Sequence, residues 1–430
     1  MVTFKVKDYG AKGDGRTLDT QAIQAAIDAA EKVGGAVTFG SGVYLTGALF
    51  LKSGITFRVD QGVRLLGSQK LADYPLVQTR VAGIETQWPA GLLNVYEQEK
   101  VQILGDGVID GDGKVFWDSY WALRRQYDPK GLRWAADYDC QRPRLIHLYE
   151  ANAVTLNGPQ LTRSGFWTVH VCYSQDVQIA NITIRNNEGG RGPSTDGIDI
   201  DSSRRVRVED ADIACNDDAV CIKAGRDSDG LRVARPTEQV VIHNCIVRDA
   251  AAGVTFGSET SGGFHDIEVS LLKVFHPTPV GILFKSAHTR GGEISNIRIR
   301  QVFMQDVPTV FRVNLNWNPT YSYAEIPKDV KEVPPLWRVL ATPVPREKGL
   351  ARISDVLVSD AVAVGAKQAF EVAAFPEAPL RRFRFEKCNW EAQSAGRIAN
   401  AQDWRFQDTK ILTLDGKPVA VEQSTNVSGL

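Results

Sequence analysis

Two stretches place carboxylates inside runs that otherwise alternate apolar and polar: STDGIDIDSS (194–203) and ACNDDAVCIK (214–223). In the second, Val220 and Ile222 share one strand face, leaving Asp217, Ala219, Cys221 and Lys223 on the other. Asp218 falls on the apolar face, where an unpaired carboxylate is costly, so a turn or bulge before Ala219 is expected. Asp196 has the same parity problem and needs a turn at 195–197, while Gly197, Asp199 and Asp201 face away from Ile198 and Ile200. Asp196 lies 21 residues before Asp217. That is close to one tight coil of a parallel solenoid, in which equivalent positions sit about 4.8 Å apart. Asp196, Asp217 and Asp218 would then share one spot. Crowded carboxylates repel when ionised, so at least one pKa should rise. A proton donor beside ionised bases is the set that glycoside hydrolysis by inversion requires. A calcium site, or aspartates capping turns, would use the same residue types.

The elements that must position these acids recur along the chain. DVQIANITIRN (176–186), RRVRVEDADIA (204–214), EQVVIHNCIVRD (238–249), FHDIEVSLLKV (264–274), EISNIRIRQVF (293–303), ISDVLVSDAVA (353–363) and RRFRFEKCNW (381–390) share one form. A polar turn leads into two or three alternating apolar residues, then a second turn and another short strand. Counting Val177, Val206, Val241, Ile267 and Ile297, the interval is 26 to 35 residues. No helical pattern fills it, so it fits one coil of an all-β, right-handed parallel β-helix better than a propeller blade. The chain is thus expected to be one catalytic domain, 1–430, with residues 1–50 as its N-terminal cap region. There Ile23, Ala26, Ile27 and Ala30 predict a capping helix over 20–33, started by Asp19 or Thr20. The tail, 404–423, reads as a last coil or a closing hairpin. Insertions at about 112–144 and 314–350 carry dense Trp and Tyr and should shape a cleft.

Net charge is −1 over 430 residues, which speaks against a global field for nucleic acid or an anionic membrane. No apolar run approaches a membrane span, and fold-like sequence begins at once with no signal-peptide pattern before it. The six cysteines form no CxxC pair and no zinc spacing, and they read as buried free thiols.

With these motifs assembled, the chain resembles glycoside hydrolase family 28, the polygalacturonase family, as a divergent exo-type member. The family's Asn-Thr-Asp appears as STD (194–196) and its Gly-Asp-Asp as NDD (216–218). DYGAKGDGRTLDTQAIQAAIDAA, RPRLIHL, GFWTVHV, GSETSGG and GILFKSAHTRGG follow in the familiar order. The resemblance implies Asp217 as general acid, Asp196 and Asp218 holding and activating water, Asp199 as a supporting acceptor, and no metal or other cofactor. Two positions depart from the pattern. The family's histidine position is Ala251 and its arginine position Leu283, while Lys285 keeps the lysine. His288 and Arg290 are candidate replacements. Arg226 and His170 are candidate cleft residues, and Trp317, Tyr321 and Tyr323 candidate sugar contacts. Glu259 reads as a turn residue. The partner expected is a poly- or oligosaccharide, with oligomeric state open.

Large insertions favour exo-action on galacturonan or rhamnogalacturonan ends. A neutral sugar such as rhamnose is the alternative that Ala251 and Leu283 raise. A pectate-type lyase and a non-catalytic carbohydrate-binding β-helix are further alternatives. The resemblance implies a secreted or periplasmic protein, with a cytoplasmic place left open by the missing signal pattern.

Overall fold

The computed structural model describes residues 1–430. Short strands stack coil upon coil. One face is a 14-stranded sheet, and the remaining faces form a 23-stranded sheet. Every pairing between coils is parallel, as in Gln175–Ala180 on Arg204–Glu209 and Arg204–Glu209 on Thr237–His243. The chain folds as a right-handed parallel β-helix.

The apolar positions of each repeat form continuous internal columns. Val177, Val206, Val240, Ile267, Ile297, Val356 and Phe383 follow one another in register. The sequence count ran through Val241; the structure puts Val240 in the column and pairs Val241 with Arg207. A one-residue slip exchanges the faces of a strand, so Val241 lies on the face opposite Val240; the ladder itself is regular here, with Arg204 opposite Glu238 and Val206 opposite Val240. A single cluster of 94 buried side chains fills the interior, so the core grows by stacking.

Helix Thr20–Glu31 closes the N-terminal end, with Ile23, Ala26, Ile27 and Ala30 fully buried. Asp19 makes no side-chain cap. Its carboxylate instead accepts the backbone N–H groups of Lys12 and Gly13 at 2.8 and 2.9 Å. The tail forms a last parallel coil, with Thr425–Ser428 on Ala401–Gln407. All six cysteines are free and buried.

Besides a short helix, Asp227–Val233, three larger excursions leave the solenoid. The first insertion is mostly helical, led by Lys114–Tyr127. The second carries short helices Pro319–Ser322, Pro335–Leu340 and Arg346–Gly349. The third excursion, an antiparallel hairpin of Leu76–Val81 and Ile84–Pro89, is absent from the sequence expectations.

Candidate active site

Strands Ile198–Asp201 and Val220–Lys223 pair in parallel, Ile198 opposite Val220. The acids precede these strands, in non-strand backbone, so both are freed from strand parity. Gly197 donates its N–H to the Asp218 carbonyl at 2.9 Å. A Cβ at Gly197 would come within 2.3 Å of the Ala219 carbonyl oxygen, so the close approach of the two bends requires glycine. The Asp217 carboxylate accepts the N–H of Asp218 at 2.9 Å. One oxygen from each of Asp196, Asp217 and Asp218 lies within 4.8 Å of the others.

Two ammonium groups stand among five carboxyls. Lys285 Nζ donates to Asp218 Oδ2 at 2.7 Å. Lys223 Nζ lies 3.3 Å from Glu259, 3.5 Å from Asp199 and 3.7 Å from Asp196. Burial, followed by repulsion from Asp199 and Asp217, holds the Asp196 carboxyl well above its usual range. Burial and the Asp218 charge push Asp217 up to about 6. Burial also raises Asp199, to about 7, against the pull of Lys223. Asp218 runs the other way, because Lys285 and then Lys223 outweigh the cost of its burial. The group therefore titrates as a coupled set, with a proton on one part and an ionised carboxylate at Asp218.

The same three oxygens could surround a cation. Lys285 already supplies positive charge at contact distance from Asp218, so the donor set fits an internally neutralised cluster better than a resident divalent ion. Oδ1 of Asp196 and Oδ1 of Asp218 are buried and have no protein partner.

The trio floors an open pocket. Phe166, Trp167 and Ser194 flank it, Arg133 and Asp137 come from the first insertion, and Trp317 and Tyr321 from the second; Ala82 comes from the hairpin tip. Hairpin and insertions pack on one another, joining Val81, Ile84, Trp88, Trp134, Tyr138, Trp337 and Leu340 in a second apolar cluster. Tyr138 Oη donates to the Ala82 carbonyl at 2.9 Å, and Arg226 N–H to that of Gly83, also at 2.9 Å. Gly83 has φ of 84°, and a Cβ there would sit 2.4 Å from the Arg226 Cβ, so the tip is held against the loop that follows strand Val220–Lys223.

Of the residues singled out in the sequence, Asp196, Asp217, Asp218, Lys285, Trp317 and Tyr321 line this pocket. Lys285 Nζ sits 4.4 Å over the Trp317 ring. The other six do not line it. Asp199 is fully buried beneath, facing Lys223. His170 is fully buried and stacks on His147 at 5.5 Å, and burial lowers its pKa to about 4. Arg226 spends its donors on Asp227, Tyr138 and the carbonyls of Tyr321 and Ser322. Arg290 pairs with Asp227 and donates to the Ser258 carbonyl at 3.1 Å. His288 is exposed, and its ring meets Phe375 at 4.5 Å. Tyr323 Oη donates to Asn316 and accepts the His288 N–H. Arg226, Arg290 and Tyr323 thus tie loops together, while Asp199 and His170 lie in the interior with no hydrogen-bond partner at their polar atoms.

Sequence reasoning missed Arg133, Asp137, Ser194, Phe166 and Trp167, and read Glu259 as a turn residue. Glu259 lines the pocket and holds Lys223. The i,i+4 pair Arg133–Asp137, at 2.6 Å, was a usable signal in the first insertion. GFWTVHV offered another in Phe166 and Trp167.

Comparison with known proteins agrees with this geometry. Residues 35–325 match the family described as glycosyl hydrolases family 28. A "Probable polygalacturonase" of Vitis vinifera is 31% identical over 338 residues, which cover 76% of this chain and 65%, just under two thirds, of that protein. An "Exo-poly-alpha-D-galacturonosidase" of Dickeya chrysanthemi is 26% identical over 97% of this chain and 75% of its own length. The crystal structure of a hyperthermoactive exopolygalacturonase from Thermotoga maritima superposes with a TM-score of 0.77, at 26% identity, covering 91% of this chain and 87% of that one. The match spans two thirds of the sequence and takes in both acid-bearing bends: the chain belongs to the glycosyl hydrolases of family 28.

Proposed function

We propose that this chain is an exo-acting hydrolase that releases the terminal sugar of a pectic oligosaccharide with inversion. The observation that carries the reading is the walled pocket above the three aspartates. The hairpin and both insertions pack on one another and line one pocket, which supports a site that takes a chain end over one that takes a continuing polymer. The names of the Dickeya and Thermotoga relatives support exo-action.

In this reading Asp217, with its pKa raised to about 6, gives its proton to the leaving glycosidic oxygen. A water between the unpartnered oxygens of Asp196 and Asp218 attacks the anomeric carbon, and its proton passes to ionised Asp218. Asp196, held protonated, orients the water instead of sharing the base role expected from sequence. Solvent then returns a proton to Asp217 and removes one from Asp218. The carboxylate oxygens, within 4.8 Å of one another, are closer than the roughly 6.5–9.5 Å separation usual for inverting enzymes. Favouring water over a covalent step, Lys285 occupies one oxygen of Asp218 and so weakens it as a nucleophile.

A neutral terminal sugar is the second reading. It is favoured by Leu283, which is buried in a small apolar cluster with Ala252 and Val280 at the position where the family likeness implies arginine. A pectic substrate, with the family likeness, supports action in the periplasm or outside the cell. The test offers galacturonan, rhamnogalacturonan and rhamnoside oligosaccharides and follows product anomers by NMR, with polymer viscosity in parallel. Monosaccharide release with inverted anomers and slow viscosity loss is expected. Retained anomers overturn the water assignment, and fast viscosity loss overturns exo-action.

A further inference from the structure

Three cationic side chains line the pocket, and two are spoken for. Lys285 is held by Asp218 at 2.7 Å and Lys223 by Glu259 at 3.3 Å. Arg133 differs. Its Nη1 donates to Asp137 Oδ2 at 2.6 Å, while Nε and Nη2 have no protein acceptor. The guanidinium lies 4.9 Å over the Tyr321 ring, which fixes its plane. Its side chain is 18% exposed.

The local charge does not balance. Asp137 also accepts from Arg142 at 3.0 Å, so two guanidiniums share one carboxylate. Burial would raise the Asp137 pKa, but Arg133 and then Arg142 win and hold it down at about 2, so it stays anionic. One positive charge is left over on a pocket wall of low dielectric. A planar fork with free Nε and Nη2 edges matches a carboxylate bidentately, which an ammonium cannot do.

We infer that Arg133 receives the carboxylate of a terminal uronate sugar and is the residue that selects an acidic chain end over a neutral one. This rests on the hydrolase reading above and deepens it, since it names the sugar class. It also gives the first insertion a task in recognition, in addition to its task of walling the pocket.

The experiment compares wild type, Arg133→Gln and Arg133→Lys on an oligogalacturonate and on the same chain with its carboxyls reduced to alcohols. A charge-assisted fork predicts that Arg133→Gln lowers the ratio of kcat/KM for acidic over reduced chain by about 30-fold, mainly through KM. Arg133→Lys should recover part of that loss. Calorimetric binding of galacturonate and galactose is measured in parallel, so the result does not depend on turnover. Galacturonate binding should weaken in Arg133→Gln while Tm stays near that of wild type. An unchanged ratio, even with both activities reduced, overturns the role of Arg133. A wild type that binds galacturonate through Arg133 yet hydrolyses neither chain overturns the hydrolase reading instead. A wild type that hydrolyses both chains equally well overturns the Arg133 inference alone.

Discussion

Replacing Lys285 by methionine keeps the length of the side chain and removes its charge. At an effective dielectric near 20, opposite charges 2.7 Å apart attract by about 6 kcal/mol. Part of that offsets the desolvation of both groups, so stranding Asp218 in a buried site should cost about 3–5 kcal/mol. The pH dependence follows from the two shifts. The pKa of Asp218 is depressed in the fold, so its contribution is present above its unfolded value of about 4 and fades as pH falls through the folded value. The pKa of Lys285 is raised, so its contribution is complete below its unfolded value of about 10 and fades as pH climbs past the folded one. The stability gap between wild type and Lys285→Met should therefore be widest from about pH 4 to pH 10 and narrow outside that window. Urea unfolding across pH measures it. The double variant Asp218→Asn with Lys285→Met leaves no charge alone, so it should recover most of the loss. A gap under about 1 kcal/mol at pH 7, or a double variant no better than Lys285→Met, would refute the reasoning.

Asp217→Asn should lower kcat by about 100- to 10,000-fold with Tm little changed. In wild type, kcat/KM should fall above about pH 6, as the raised Asp217 carboxyl loses its proton. An activity plateau reaching pH 8 would contradict the acid role. Asp199, pushed up to about 7, disfavours ionisation in the fold, so wild type should lose stability from about pH 4 to pH 7. Asp199→Asn removes that loss and should compare better with wild type at pH 8 than at pH 4; an equal difference at both would discount the burial argument.

The coils were legible because stacking makes each one repeat the same in–out pattern, and the two acid bends because each breaks that pattern. Asp196 and Asp218 stood out by parity, Asp217 by lying one 21-residue coil after Asp196, and their separate roles came from the family likeness. The pocket walls were not legible in the same way. Arg133, Asp137 and the 76–89 hairpin are placed by contacts with loops distant in sequence, and no local period encodes those. Arg226, Arg290 and His170 were read as ligands because arginine and histidine near an acid site are chemically apt. Whether such a group faces a substrate or ties two loops together depends on what arrives from elsewhere: Tyr138 and Tyr321 for Arg226, Asp227 for Arg290, His147 for His170.

The thiols have a consequence for how the folded protein meets its redox surroundings. Burial raises the pKa of all six, which leaves scarcely any thiolate to be oxidised or to attack a disulfide. No cross-link joins the coils, so glutathione poise has no bond in the native molecule to break and hardly a thiolate to trap. Once folded, the protein should keep the same covalent form in oxidising and in reducing buffer.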